Sequence, residues 1–281
     1  ASATCDQEIT SPDGMPILAL TTNETSFAIF GIGKGIFLDD NGTAQPLKTD
    51  DRLTSNFVDA LAIAPDGMLW VGTDNGIQAL DPANPQQEWQ TYRQQDQSAM
   101  GGNWASAISF GPDGSVWISI INGSASRFQN NQWQSFKDVY SYNAVAVDEQ
   151  NRAWLADDSK GVAVLDSQGN QVMTLTTAEG LPGDNVQAVL VDESGTVWIG
   201  TNQGLAKYAN NSLSVVFGKD SKEIPNVYIR ALALDPSGNL LIGTFTGVSV
   251  FDGQNATTLV DFLKDGYSNA RLTTLASGAD G

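Results

Sequence analysis

The stretch EGLPGDNVQAVLVDESGTVWIGTNQGLAKY, Glu179 to Tyr208, decides the fold, because its pattern recurs along the chain. Three short runs in it, VQAVLV, TVWIG and LAKY, have the alternating or β-branched and aromatic composition of strands. The turns between them, DESG and NQG, end in glycine, which adopts the positive φ of a tight reversal at little cost. The stretch therefore predicts antiparallel strands joined by short turns.

Copies of the same pattern occupy most of the chain, and the first strand and turn of another copy recur at 271–281. A fourth, more variable strand follows the first three, as in EWQTY at 88–92 and QWQSF at 132–136. The spacing of one repeat position, about 37 to 47 residues, is that of a four-stranded propeller blade. That position holds Trp70, Trp117, Trp154, Trp198 and Leu241. We interpret these tryptophans as packing residues buried between blades.

We therefore predict an all-β fold, a β-propeller of four-stranded antiparallel blades with six complete repeats and the first strand of a seventh. Residues 1–15 are predicted to be an N-terminal leader or closure segment, and 16–281 a single propeller domain. The ring closes within the chain if the strand at 271–276 pairs with N-terminal strands; otherwise that strand is an edge through which assembly can occur. The repeats are placed at 16–52, 53–100, 101–138, 139–180, 181–224 and 225–268, with a partial repeat at 269–281.

The repeat resembles that of two-component-regulator propellers, whose pattern is G-L-x-x-N-x-V, a D-x-x-G turn, and then L/V-W-I-G-T-x-x-G-L with an aromatic residue. Residues 180–208 closely resemble this pattern, and 53–77 and 231–248 match it well. In that family the propellers commonly form the extracytoplasmic sensing portion of membrane histidine kinases, and related propellers are binding or scaffolding modules. The resemblance implies the fold and an extracytoplasmic location, periplasmic, secreted or at the cell surface. Whether the propeller acts alone or belongs to a longer sensor stays open.

The charge of the chain argues against two classes of partner. The sequence contains 32 acidic and 14 basic residues, a formal charge of −18. Such a surface repels nucleic-acid phosphates and anionic lipid. No apolar run approaches the roughly 20 residues that span a bilayer, so we predict neither nucleic-acid binding nor membrane insertion. The single cysteine, Cys5, follows the small residues ASAT and is either a stray thiol or the lipid-anchoring residue of a bacterial lipoprotein.

The sequence contains no histidine, which excludes Ser-His-Asp and Cys-His catalysis and the histidine-dependent lyases built on propellers. Adjacent aspartates at 39–40, 50–51 and 157–158 are not part of a D-x-D-x-D-G calcium loop. We therefore assign no catalytic residue, no metal ligand and no cofactor, with a structural calcium site as the alternative. Whether the protein is an enzyme is left open.

One repeat position, just ahead of each inner strand, carries different polar side chains in different copies. These residues are expected to ring the mouth of the central channel, where they form a ligand site or simply face water. Trp104, Tyr142 and Tyr228 lie beside the ring and offer flat surfaces to a sugar or peptide. Arg230 is suited either to capture a carboxylate or to pair with Asp59 across the mouth. The ring comprises Asp59, Ser106, Asn143, Gln187, Arg230 and Thr273.

Three functions fit these observations. The first is a non-catalytic extracytoplasmic propeller for recognition or scaffolding, which mediates protein or surface-assembly interactions. The second is a sensor domain that binds a small carbohydrate or peptide at the channel mouth. The third is a hydrolase or lyase that depends on carboxylates.

Overall fold

The computed structural model describes residues 19–22, 28–32, 35–40, 43–48, 52–84, 87–137, 139, 143–266, 272 and 274–276. In these residues the chain forms six antiparallel sheets, each of four consecutive strands, and no helix. None of the described segments is a helix long and apolar enough to cross a membrane. Cys5 and the predicted leader at 1–15 lie outside the described residues.

Each sheet is one blade, and its strands follow one another in space as they do along the chain. Blade 1 contains β1 (Ala19–Thr22), β2 (Ala28–Ile32), β3 (Gly35–Asp40) and β4 (Thr43–Lys48). Blade 2 contains β5 (Val58–Ile63), β6 (Leu69–Thr73), β7 (Gly76–Leu80) and β8 (Gln90–Tyr92). Blade 3 contains β9 (Ala105–Phe110), β10 (Val116–Ile120), β11 (Ser126–Gln129) and β12 (Gln132–Ser135).

The second half of the ring repeats this plan. Blade 4 contains β13 (Ala144–Val147), β14 (Ala153–Ala156), β15 (Val162–Leu165) and β16 (Gln171–Leu175). Blade 5 contains β17 (Val186–Val191), β18 (Val197–Thr201), β19 (Gly204–Ala209) and β20 (Ser212–Phe217). Blade 6 contains β21 (Ile229–Leu234), β22 (Leu240–Thr244), β23 (Gly247–Phe251) and β24 (Ala256–Asp261). Each predicted repeat range therefore contains one complete sheet.

The inner strands of successive blades contact one another in the order β1, β5, β9, β13, β17 and β21. This arrangement places the first strand of every blade on a common axis, and it confirms the predicted all-β propeller of four-stranded antiparallel blades.

The core lies between blades rather than within them. Trp154 is fully buried and packs with Val186, Val189 and Tyr208 of blade 5. Trp117 is also fully buried, at the interface of blades 3 and 4, where it stacks on Phe136 with ring centroids 4.9 Å apart. Burial of apolar area is worth roughly 25 cal/mol per Å², so the interfaces between blades contribute much of the stability. The packing interpretation of the recurring tryptophans is correct for these two.

A glycine in the second strand of a blade lies directly against the inner strand of the next blade. A Cβ atom added to Gly200 would lie 2.6 Å from the Ile229 side chain of blade 6. Gly72 meets Ala105 of blade 3 at 2.8 Å in the same way. The glycine of the W-I-G-T pattern is therefore required by the close approach of two blades.

The C-terminal residues occupy the corresponding place beyond blade 6. The side chains of Leu272 and Leu275 lie against Gly243 of β22, where the next inner strand lies in the other blades. Two residues of the predicted seventh repeat, Leu272 and Leu275, thus lie where its inner strand is expected. The four described residues of that segment, 272 and 274–276, do not join a β-ladder, and Thr273 lies outside the described residues.

The threonine of the same pattern fastens the second turn of the blade. Three such threonines are fully buried. Their hydroxyl groups donate to the carbonyl oxygen three residues later, which holds the turn closed. The pairs are Thr73 to Gly76 at 2.9 Å, Thr201 to Gly204 at 3.0 Å and Thr244 to Gly247 at 2.9 Å.

The aspartate of the D-x-x-G turn fastens the first turn to the tryptophan. Asp192 accepts hydrogen bonds from the backbone N–H groups of Ser194 and Thr196, and from Nε1 of Trp198 at 2.8 Å. Asp148 accepts a hydrogen bond from Nε1 of Trp154 at 2.9 Å in the same way. We call this arrangement the Asp–Trp latch. It explains why aspartate and tryptophan are six residues apart in these copies.

The latch also sets the protonation state of its carboxylate. Partial burial raises the pKa of Asp192, but hydrogen bonds from Ser194, Trp198 and Thr196 outweigh that effect, and the pKa lies below its ordinary value of 3.8. A carboxylate with a depressed pKa stabilises the fold above the pKa of the unfolded chain, and this contribution is lost as the pH falls through the folded value.

We expect Gly200→Ala to lower the free energy of unfolding by about 1–3 kcal/mol, because the new methyl group must displace Ile229. Denaturant unfolding measures this change. Gly218→Ala is the matched control, since its Cβ would meet only Val215 at an ordinary 3.8 Å. Equal effects of the two substitutions would contradict the close approach of the blades.

We expect Asp192→Asn to cost about 1–3 kcal/mol at neutral pH, because the amide cannot accept all the hydrogen bonds of the carboxylate. The difference from the unmodified protein should be constant at neutral pH and shrink below about pH 4, where the carboxylate becomes protonated. Unfolding free energies measured between pH 7 and pH 3 test this. Glu193→Gln, at an exposed neighbour, serves as the control. A difference that does not change with pH would refute the role of the charge.

Candidate functional site

Four inner strands carry a β-bulge at the same place. In β5, Val58 pairs with Thr73 and Ala60 pairs with Gly72, so Asp59 has no partner residue on β6. A bulge leaves one residue outside the ladder and redirects its side chain. The extra residues of β5, β9, β17 and β21 are Asp59, Ser106, Gln187 and Arg230.

These four residues meet in one cavity on the axis of the ring. The cavity has a volume of about 300 Å³, and Asn143 and Thr274 complete its polar lining. Below this polar layer the inner strands contribute small side chains, Ala60, Ala107, Ala144, Ala188 and Ala231. The structure therefore brings together five of the six predicted ring residues, and Thr274 is the immediate neighbour of the sixth, Thr273.

Several ring side chains are held by specific hydrogen bonds. Nε1 of Trp104 donates to a carboxylate oxygen of Asp59 at 2.6 Å, which joins blades 2 and 3 across the mouth. Nδ2 of Asn143 donates to the carbonyl oxygen of Val186 at 2.7 Å, which joins blades 4 and 5. Nε2 of Gln187 donates to Oδ1 of its neighbour Asn185 at 2.7 Å.

Arg230 provides the positive charge of the cavity. Its guanidinium carbon lies 5.8 Å from the centroid of the Tyr228 ring, within cation–π range. Both Arg230 and Asp59 are described, and no ion pair joins them. The predicted ion pair between Arg230 and Asp59 is therefore not formed. The guanidinium group of Arg230 lines a polar cavity and has no carboxylate partner in the described part of the chain.

Exposed aromatic side chains surround the mouth. Phe57, Trp104 and Phe245 are 57%, 39% and 43% exposed. They share one face of the ring, because the residues just ahead of an inner strand pair with the second turn of the same blade. Examples are Ile121 N–H to the Trp104 carbonyl at 2.8 Å and Phe245 N–H to the Tyr228 carbonyl at 3.0 Å. We call Phe57, Trp104, Tyr228 and Phe245 the aromatic rim.

Two members of this rim were missed by sequence reasoning. Phe57 precedes the bulge of β5, and Phe245 lies in the turn between β22 and β23, 6.1 Å from Tyr228 between ring centroids. The available signal was a large apolar residue in an otherwise polar turn, in SNFV and TFTG. Tyr142, which was predicted to lie beside the mouth, falls outside the described residues.

Acidic and cysteine side chains of the described residues do not gather in groups of three that could hold a metal ion. Among the described residues that line the channel-mouth cavity, Asp59 is the one with a carboxylate.

Two segments of the chain, residues 52–75 and 180–203, match the family described as the two component regulator propeller. The second segment runs from the turn before β17 through β18, so it contains the latch, the glycine and the buried threonine of blade 5. Two segments of the chain thus match this repeat, and the predicted resemblance is confirmed. No curated protein sequence matches the chain.

Solved structures share the fold at low sequence identity. The extracellular domain of BT3049 from B. thetaiotaomicron, described as belonging to a hybrid two component system, superposes with a TM-score of 0.75 and 18% identity over 96% of this chain and 37% of that one. PorZ of Porphyromonas gingivalis, described as a surface component of the type-IX secretion system, has a TM-score of 0.63 and 19% identity over 83% and 38%. A streptogramin B lyase has a TM-score of 0.70 and 16% identity over 94% and 88%. The present chain spans less than half of the first two.

The bulges predict that ring residues and their neighbours differ in what they contribute to stability. We expect Val186→Ala to cost about 2–3 kcal/mol, because it removes buried methyl groups at the interface of blades 4 and 5. Gln187→Ala, one residue later, should change the free energy of unfolding by less than about 0.5 kcal/mol. Denaturant unfolding of both variants tests this, and a large loss for Gln187→Ala would mean that the ring is a packing feature.

Proposed function

We propose that this propeller is a non-catalytic, extracytoplasmic recognition or scaffolding module that binds a protein partner over the channel mouth. The observation that carries the proposal is the convergence of four bulged residues on one cavity. Bulges cost ladder hydrogen bonds and are over-represented beside functional sites. Four of them at one repeat position, each with a different polar side chain, support a recognition surface.

The aromatic rim supports a protein partner. Aromatic side chains are enriched at protein interfaces, where they provide most of the binding energy when a partner covers them. Phe57 and Phe245 are exposed by about half and lie on the same face as Trp104 and Tyr228. A partner that spans the mouth would bury this rim and place a polar group in the cavity.

The charges constrain the group that enters the cavity. Arg230 has no acidic partner among the described residues, while Asp59 already accepts a hydrogen bond from Trp104. A carboxylate of the partner fits Arg230 best, because a charge-assisted hydrogen bond would satisfy both groups. The rest of the partner's surface should be neutral or basic, since the chain carries a net charge of −18.

The location and the assembly role rest on the structural relatives. BT3049 contributes an extracellular domain and PorZ is a bacterial surface component, which favours a similar place for this chain. We also propose lipid anchoring through Cys5 and assembly through the C-terminal strand, and both proposals rest on the sequence.

A second candidate is a sensor domain for a small carbohydrate or peptide. The volume of about 300 Å³ and the mixed polar lining favour it, because pockets for small ligands have this size. The third candidate, a carboxylate-dependent hydrolase or lyase, has less support, since paired-carboxylate chemistry needs a second acid beside Asp59. The likeness to a streptogramin lyase concerns the fold, and the sequence contains no histidine.

The leading proposal predicts that Phe245→Ser and Arg230→Ala each reduce capture of a partner by at least about tenfold, because they remove an aromatic anchor and the cavity cation. Quantitative affinity capture from the surface fraction of the source organism measures this. Val215→Ser is the control, as Val215 is exposed on the outer strand β20. A partner retained equally by all four proteins would refute binding at the mouth.

The sensor alternative is distinguished by thermal denaturation with neutral oligosaccharides and short peptides. A ligand of this site should raise the melting temperature of the unmodified protein by several degrees, and Arg230→Ala or Trp104→Ala should abolish the rise. A rise that both variants retain would place the ligand elsewhere.

A further inference from the structure

The Asp–Trp latch is incomplete at the interface of blades 2 and 3. Asp148, Asp192 and Asp235 begin the first turn in blades 4, 5 and 6, but Ala64 and Gly111 stand at this position in blades 2 and 3. The turn itself is unchanged. The N–H of Ala64 donates to the Met68 carbonyl at 2.8 Å, as that of Asp192 does to Thr196 at 3.0 Å. The carboxylate is missing from this position, and in blade 2 Asp66 accepts the Met68 N–H instead, at 3.0 Å.

Blade 3 compensates for the missing acid and blade 2 does not. Nε1 of Trp117 donates to Oγ of Ser115 at 3.1 Å. The residue at the equivalent place in blade 2 is Met68, whose thioether is at best a weak acceptor. Among the described residues no group accepts the indole N–H of Trp70, although this side chain is only 6% exposed. Solvent reaches this N–H, so it is open to a ligand as well.

A cavity of about 650 Å³ lies beside Ala64 and Gly111, the two positions where the latch aspartate is absent. Ala64, Gly111 and Trp70 all line it, together with Met68, Phe110 and Phe128. It lies at the end of the inner strands opposite the channel mouth, because its wall contains the first turns of blades 2 and 3. The unpaired donor and the empty position of the acid thus belong to the same cleft.

The surroundings of Trp70 restrict what the cleft can hold. One face of the indole stacks on Tyr92, with centroids 5.9 Å apart and planes 8° apart, and Phe128 packs against it at 5.7 Å. Because Tyr92 covers one face of the indole, Trp70 has less open surface on which a sugar could stack. Among the described residues the lining contains no lysine or arginine and already includes the carboxylate of Asp66, so a further carboxylate would not be neutralised there.

The remaining groups match a peptide. Apolar side chains such as Met68, Phe110 and Phe128 can surround an aliphatic side chain, and the side-chain amides of Gln90, Asn130 and Asn131 can pair with backbone amides. An amide carbonyl is an uncharged acceptor for the Trp70 N–H.

We infer that the cleft between blades 2 and 3 is a second binding site, which takes a neutral peptide segment with an aliphatic side chain. A carbonyl oxygen of the peptide occupies the place of the missing latch carboxylate and accepts the Trp70 N–H. This site is separate from the channel mouth and does not depend on the function proposed there.

The test uses the full chain with ¹⁵N-labelled tryptophan and the probe N-acetyl-L-leucine amide. The indole N–H signal of Trp70 is assigned by its absence in Trp70→Phe. We expect this signal to move in a saturable way as the probe is added, and the signals of Trp117, Trp154 and Trp198 to stay in place, because those N–H groups are already bonded. No movement of the Trp70 signal at saturating millimolar probe would overturn the inference.

A second variant provides an independent test. Ala64→Asp restores the residue of blades 4 to 6 on an unchanged turn, so its carboxylate should accept the Trp70 N–H and exclude the peptide. We expect probe affinity to fall at least tenfold, while Ser98→Asp, which adds the same charge at an exposed position, leaves it unchanged. Equal affinity in Ala64→Asp and the unmodified protein would refute the site. Arg230→Ala should bind the probe normally, so failure of the mouth proposal is seen separately.

Discussion

The structure depends on the close packing of each blade's inner strand against the second strand of the blade before it. Gly200 and Gly72 leave room for Ile229 and Ala105, and any side chain there would push the blades apart. Because a four-stranded sheet can bury its faces only against its neighbours, this contact sets the spacing of the whole ring. The C-terminal Leu272 follows the same constraint, since it lies against Gly243 as an inner strand would.

The same constraint explains where polar residues can gather. Inner strands that converge on an axis leave room mainly for alanine, so Ala60, Ala188 and Ala231 line the channel. A bulge releases one residue from the ladder just before this crowded layer. Asp59, Gln187 and Arg230 therefore differ freely from blade to blade while Val58, Val186 and Ile229 beside them stay apolar and buried. The polar ring residue and the buried packing residue are thus immediate neighbours in the chain.

At the other end of the inner strands, the blades differ in whether the Asp–Trp latch is present. Where Asp192 or Asp148 accepts the tryptophan N–H, the first turn is fixed to the core. Where Ala64 and Gly111 replace the acid, a cleft remains beside Trp70. One repeat pattern thus produces first turns with and without the latch, according to whether the first turn position holds an aspartate.

The antiparallel strands, their turns and the propeller fold could be predicted from the sequence, because they depend on residue order and periodicity along one blade. The same periodicity placed Asp59, Ser106, Asn143, Gln187 and Arg230 at one repeat position, and it led to the correct interpretation of Trp117 and Trp154 as packing residues. The three-dimensional structure was needed to show that Arg230 does not pair with Asp59, that Phe57 and Phe245 join the rim, and that a cleft lies beside Ala64 and Gly111. These side chains belong to different blades and are far apart in the sequence, so a local sequence pattern does not predict their contacts. The free energy of each contact also depends on which residues the neighbouring blade contributes.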